Sequence, residues 1–357
     1  MTLPYEKANE LVVDSVRDAR EEAMEKALQV GVTLGIPEMR ETKRNNIACP
    51  APGIYNNFTM TEYHRIDAFN ASTGKKFMES GLHGASYLNG EQGPPTPDML
   101  LGTAFHSALF EPEDYLERKV VGKYQGKPLA DKCAYSSHAK AEKDNPGKII
   151  LHAGWEEAIE NSVMSVLRHP FGGKLFRDPD MVREVTLIWH EPIKMGERVY
   201  TVPCKARLDA FSPLSQCIPD AKFTGDIDPR NFVFNAWKLG YHRSGGLYAH
   251  ACWRLNLLRK DEFGRMPESP YLMMGVSRKP INEGSEEHLC ALYAYDNESL
   301  DQGLDELLTI GATRYLLYRM TGYAEGPSYT LGVNSASIPQ FDMNTDHIAR
   351  PVGSEPN

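Results

Sequence analysis

The sequence predicts an α+β fold with a central mixed sheet flanked by helices, and three observations lead there. Apolar residues recur at steps of three and four in helical stretches before Pro170, and again in Asp228–Leu239, Tyr241–Leu258 and Leu300–Met320. Between them lie three β-rich runs, Glu184–Trp189, Tyr200–Phe211 and Gln216–Phe223, separated by the turn sequences Lys194-Met-Gly-Glu197 and Ser212-Pro-Leu-Ser215, which predicts an antiparallel meander. Two further strands, Tyr271–Ser277 and His288–Tyr295, follow the helix pair. Helices, meander, helix pair, two strands and a helix make an α+β order.

From Tyr5 to Val30, the residues Tyr5, Ala8, Val12, Val16, Ala19, Ala23 and Ala27 define an amphipathic helix ended by Gly31 and Gly35-Ile-Pro37. It is either a packing helix or an arm onto a neighbouring subunit. Residues 38–57, polar and then proline-rich, have the composition of a linker. Thr59-Met-Thr-Glu62 has the form of a capping box opening a helix to about Phe69. The nearby Gly74-Lys75-Lys76 lacks the first glycine of a phosphate loop and any preceding strand, so it is not read as one.

A Gly/Pro-rich loop, Gly90–Pro97, precedes an apolar helix, Met99–Phe110, that carries His106 and is closed by Glu111-Pro112. Taken alone, a histidine on such a helix is more often a hydrogen-bonded core residue than a ligand. Residues 118–147 are basic, with Tyr124 and Tyr135 interleaved, and read as a solvated connection or as a source of phosphate contacts. Trp155–Leu167 is an amphipathic helix ending at Arg168-His-Pro170. The chain after Gly322 is irregular in composition.

The chain has 357 residues, 41% of them hydrophobic, enough for one large domain or two ordinary ones. Its net charge of −9 excludes a protein that coats nucleic acid through its overall field, while leaving room for a local groove or metal site. The six cysteines are scattered without a C-x-x-C pair, so reduced thiols and no iron–sulfur cluster are expected. No stretch approaches the roughly 20 apolar residues of a membrane span, and the N-terminus has no signal-peptide pattern. A cytoplasmic protein without membrane contact is expected, in the host cytoplasm if a phage encodes it.

Chemistry concentrates between Glu184 and Lys222. Side chains two apart on a strand share a face, so Asp220 and Lys222 point together, as do Arg207 and Asp209. If their strands pair through the Ser-Pro turn, Asp209 and Asp220 meet at one end of the hairpin. Two such carboxylates repel unless a cation sits between them. Oxygen ligands without cysteine favour Mg²⁺ or Mn²⁺, and a lysine beside the ion completes a kit for phosphodiester hydrolysis. Asp-x-Lys by itself is a common dipeptide spacing, and an exposed ion pair beside a turn is its plain structural alternative.

Five motifs in order add to this: Gly102-Thr-Ala-Phe-His106, Glu184-Val-Thr-Leu-Ile-Trp, Cys204-Lys-Ala-Arg207-Leu-Asp209, Asp220-Ala-Lys222 and Tyr241-x6-Tyr248. Together they resemble the nuclease domain of RecE-type exodeoxyribonucleases (exonuclease VIII-like), within the restriction-endonuclease-like PD-(D/E)xK superfamily, over roughly Pro52–Tyr329. The resemblance implies that His106, Asp209, Asp220 and the backbone carbonyl of Ala221 hold a metal. It makes Lys222 the catalytic lysine and places Glu184 at or near a second metal. Arg207, Tyr241, Ser244 and Tyr248 would face the substrate. Two departures stand out: Ser244, followed by Gly245-Gly246, replaces the family's glutamine, and Pro219 before Asp220 suggests an edge strand or bulge.

The resemblance further implies a Mg²⁺-dependent 5′–3′ exonuclease, with Mn²⁺ able to substitute, that acts on linear double-stranded DNA and leaves a 3′ strand for a single-strand-annealing recombinase. It implies a homo-oligomeric ring. The domain organisation is then an N-terminal helix and linker over 1–50, a nuclease domain over 51–330 and a tail over 331–357. An endonuclease or single-strand nuclease of the same fold, and a catalytically silent binding protein, are the alternatives.

Overall fold

The computed structural model describes residues 35–326, except 131, 196–197 and 261–266. The expected N-terminal helix, Gly196-Glu197 of the first turn and the tail from 331 lie outside the described residues. Residues 322–326 carry no regular structure.

The stretch read as a linker contributes a strand, β1 (Gly53–Tyr55), which extends the sheet by pairing antiparallel with residues 186–188 of a later strand. Upstream of it, the Arg40 N–H donates to the Arg319 carbonyl at 2.7 Å and the Arg44 N–H to that of Leu88 at 3.0 Å. The Thr59/Glu62 capping box opens α1 (Met60–Arg65). This helix stops short of Phe69 because Ile66 and Phe69 bridge Ile47 and Cys204, and the buried Lys205 ammonium takes the carbonyls of Tyr63 and Ile66 at 2.9 and 2.7 Å.

Asn70 and Ser80 cap α2 (Ala71–Glu79) and α3 (Gly81–Leu88), and Thr96 caps α4 (Pro97–Phe110), which is followed by α5 (Pro112–Arg118). The basic connection is folded, contrary to its reading as a solvated one. It contains β2 (Lys119–Val121), the hairpin β3 (Lys123–Tyr124) and β4 (Lys127–Pro128) and α6 (Tyr135–Asp144), and β5 (Ile149–Leu151) follows it. Leu129, Ala141 and Ile150 form a small core of their own there, which the charge pattern concealed. Helices α7 (Trp155–Arg168) and α8 (Gly172–Phe176) follow.

Strands β6 (Val182–Met195) and β7 (Arg198–Phe211) form the long antiparallel hairpin. The third strand of the expected meander does not continue it. After one bridge, Ser212 to Cys217, β8 (Ile218–Thr224) leaves β7 and runs parallel to residues 271–277 of a later strand. Pro219 has no N–H to give a β7 ladder, and the Ile218 N–H donates instead to the Pro270 carbonyl at 2.7 Å.

Asp228 caps α9 (Pro229–Lys238), and Gly240 at φ +66° turns the chain into α10 (Tyr241–Arg254). Next come β9 (Tyr271–Pro280), β10 (His288–Ala294), α11 (Asn297–Glu306), a π-helical segment Leu307–Ala312, and α12 (Thr313–Thr321). The central β layer therefore consists of two three-stranded sheets, β1-β6-β7 and β10-β9-β8, the second of them mixed.

Two cores pack between sheets and helices. The larger includes Phe69, Trp189, Tyr271 and Tyr315, and the other Phe105, Phe110, Trp155, Ala221 and Met274. The Gly245-Gly246 pair belongs to this packing: a Cβ on Gly245 would lie 2.4 Å from Tyr271 Cδ1, and one on Gly246 would lie 2.2 Å from the Leu300 carbonyl oxygen. The helix gives up about 1 kcal/mol of propensity per glycine and gains close approach to β9 and α11. Among the described residues no helix is long and apolar enough to cross a membrane.

Candidate active site

Asp209 and Asp220 each stand three residues from the Ser212–Cys217 bridge, one before it on β7 and one after it on β8. They therefore come together although their strands form no ladder. Helix α4 adds His106, whose Nδ1 is 3.2 Å from Asp209 Oδ2. One ligand atom from each of His106, Asp209 and Asp220 falls within a mutual 4.8 Å.

Asp220 is held from two sides. Its Oδ2 accepts the hydroxyl proton of Tyr271. Its Oδ1 is buried, faces the Lys222 ammonium at 2.6 Å and takes no directed hydrogen bond. The Lys222 ammonium also lies 4.8 Å from the centre of the Tyr241 ring.

The electrostatics of the group pull its carboxyls apart. Burial opposes the charge on Asp209, but His106, through charge and hydrogen bond, and then Lys222 carry its pKa down to about 2. Burial raises that of Asp220, with the neighbouring Asp209 adding to it and Lys222 opposing. On His106 burial is outweighed by Asp209, so the imidazole holds its proton more firmly than usual. On Lys222 burial is outweighed by Asp220 and Asp209, which raise its pKa. Two carboxylates and an imidazole whose ligand atoms lie within a mutual 4.8 Å fit a hard divalent cation, which would offset the repulsion between Asp209 and Asp220.

Glu184 lies outside that group of three. It stands across from Asp209 where the β6–β7 ladder is interrupted, between the pairs Arg183–Ala210 and Val185–Leu208, and its backbone is left-handed at φ +52°. A non-glycine residue in that region marks local strain. Arg207 Nε donates to Glu184 Oε2 at 2.8 Å. Burial and the charge of Asp209 nevertheless push the Glu184 carboxyl up to about 7, against the lowering effect of Arg207.

Arg207 Nη1 donates to the Phe58 carbonyl at 2.7 Å, so this guanidinium, expected to face substrate, is engaged within the protein. The Tyr248 ring packs edge-on to Tyr271 at 6.3 Å. Ser244 Oγ accepts from Lys75 at 3.1 Å. Ala221, next to Asp220, is fully buried in β8 opposite Met274.

Sequence reasoning missed two residues here. Tyr271 was legible only as a core residue of a strand. Lys75 sits in the Gly74-Lys75-Lys76 stretch that is not read as a phosphate loop, and no local spacing ties it to the site.

A β layer flanked by helices, with Asp209, Asp220 and Lys222 converging at one end of β7 and β8, has the architecture of the PD-(D/E)xK nuclease class. Residues 70–260, more than half of the chain, match the family described as a PDDEXK-like domain of unknown function (DUF3799), and the chain belongs to that family. No curated protein matches it in sequence. Among solved structures it is similar to one described as a "Putative exonuclease" from Eubacterium rectale, with a TM-score of 0.49 and 14% identity over 77% of this chain and 92% of that chain.

Proposed function

We propose that the protein is a RecE-type, Mg²⁺-dependent exonuclease that hydrolyses linear duplex DNA from the 5′ end and leaves a 3′ single strand for an annealing recombinase. The observation that carries the nuclease reading is the meeting of His106, Asp209 and Asp220 with the Lys222 ammonium directly on Asp220. His106, Asp209, Asp220 and the Ala221 carbonyl would hold the cation, with Mn²⁺ able to replace Mg²⁺. Bound there, the ion would acidify a water and offset charge on the phosphate.

Lys222, fixed between Asp220 and the Tyr241 ring, places its ammonium where negative charge develops on the phosphate. Tyr271 orients Asp220, and Arg207 positions Glu184 opposite Asp209. Tyr241, Ser244 and Tyr248 line the α10 side of the site. A chain of net charge −9 gains little from global attraction to DNA. A ring of subunits enclosing the product strand is consistent with that charge and is part of this proposal.

End-labelled linear duplex and covalently closed circles, each with Mg²⁺ and with EDTA, test it. Stepwise loss of nucleotides from the 5′ end of the linear form alone, in Mg²⁺ alone, is expected. Equal attack on both forms would make the protein an endonuclease, and no cleavage of either, with no metal bound in calorimetry, would make it a binding protein.

A further inference from the structure

A second ammonium stands beside the reacting residues without an acidic partner. Lys75, partly buried on α2, sends its Nζ to Ser244 Oγ at 3.1 Å and to the Leu239 carbonyl at 3.4 Å, both neutral groups. It forms no ion pair among the described residues. Its neighbour Arg243 is bound to Glu306 through Nε and Nη2, at 2.8 and 2.6 Å. The stem of Lys75 passes Gly240, where a Cβ would come within 3.0 Å of Lys75 Cδ.

Tyr241 and Ser244, three apart on α10, share one helix face. Lys222 lies over the first and Lys75 bonds the second, so two ammoniums lie along one face of α10, the first of them paired with Asp220. Burial, followed by the charges of Lys222 and Arg243, pulls the Lys75 pKa down to about 8, with Asp220 opposing. A charge withdrawn from water next to like charges is unfavourable unless an anion joins it. The bonds to Ser244 and to the Leu239 carbonyl at the end of α9 are the purely structural use of this lysine, and neutral acceptors do not neutralise a cation.

We propose that Lys75 is a substrate-positioning residue that contacts a backbone phosphate of the DNA strand next to the phosphate faced by Lys222, with Ser244 aiming its ammonium. This rests on the nuclease reading above. On the nuclease reading the anion is a phosphodiester, because a strand whose phosphate faces Lys222 carries its next phosphate along the same backbone. Ser244 then serves as the rest for a long cation, which a short hydroxyl permits.

The test measures binding of a fluorescent linear duplex to the full chain in Ca²⁺ over a range of salt, for wild type, Lys75→Gln and Lys75→Arg, with melting temperatures recorded in parallel. Each phosphate neutralised contributes a slope of about −0.9 to log K against log salt on duplex DNA. Lys75→Gln should make the slope shallower by about one contact and raise KM more than it lowers kcat, whereas Lys75→Arg should keep the wild-type slope. A Lys75→Gln protein with wild-type slope and affinity overturns the inference, and so does one that only melts earlier. Wild type that neither binds nor cleaves linear duplex overturns the nuclease reading itself, a result distinct from either.

Discussion

The Tyr271 hydroxyl donates to Asp220 Oδ2 from β9, across 51 positions of sequence. The parallel β8–β9 ladder sets Asp220 opposite Met273, so Tyr271, two residues earlier, lies on the same face as the carboxylate. Residues that orient a metal ligand commonly change affinity by about 10–100-fold when removed. Tyr271→Phe, which keeps the ring, should therefore weaken Mn²⁺ binding by about that factor with little change in melting temperature. Calorimetry showing wild-type affinity would remove Tyr271 from the site.

The close approach of Gly245 to the same tyrosine gives a prediction opposite in sign to helix propensity. Alanine in a helix interior is favoured over glycine by about 1 kcal/mol. Here its Cβ would lie 2.4 Å from Tyr271 Cδ1, on a fully buried ring with no room to withdraw. Gly245→Ala should destabilise by about 1–3 kcal/mol, the range of overpacked cores, and should weaken metal binding by displacing Tyr271 from Asp220. A higher melting temperature in the variant would show that the ring yields.

These two residues also mark how far the sequence could be read. Asp209, Asp220 and Lys222 were legible because strand periodicity is local and Ser212–Ser215 is a recognisable turn. Their meeting does not come from the expected β7–β8 ladder: Pro219 denies it and one bridge suffices. Tyr271 and Lys75 reach the site only through tertiary packing, which no local spacing records. Arg207 is expected to face substrate, but Glu184 and Phe58 take up its donors. The folding of residues 118–151 escaped notice because a few buried residues, Leu129, Ala141 and Ile150, lie among many charges.

On the proposed nuclease reading, Lys222 separates chemistry from metal binding. Its ammonium is bound to Asp220 and sits where phosphate charge would develop, so Lys222→Gln should lower turnover by about 10²–10³-fold, the usual loss for one preorganised donor. Mn²⁺ should still bind at neutral pH, because His106 and both carboxylates remain. Titration calorimetry beside a single-turnover cleavage assay checks this, and undiminished cleavage would assign the lysine a structural role.

Glu184 carries a pH dependence whose sign follows from its surroundings. The folded protein holds this proton up to about 7, against an ordinary 4.5, because burial and Asp209 outweigh Arg207. Between those values the native state binds more protons than the unfolded chain, so the contribution of Glu184 is fully present below 4.5 and is lost as pH rises through about 7. At 1.36 kcal/mol per pKa unit this amounts to roughly 3 kcal/mol. In EDTA, Glu184→Gln should melt close to wild type at acid pH and increasingly above it as pH climbs to neutrality, because the amide still accepts from Arg207 without confronting Asp209. Melting curves of the two proteins that stay parallel across that window would show that Glu184 is ionised throughout, and that Arg207 outweighs both burial and Asp209.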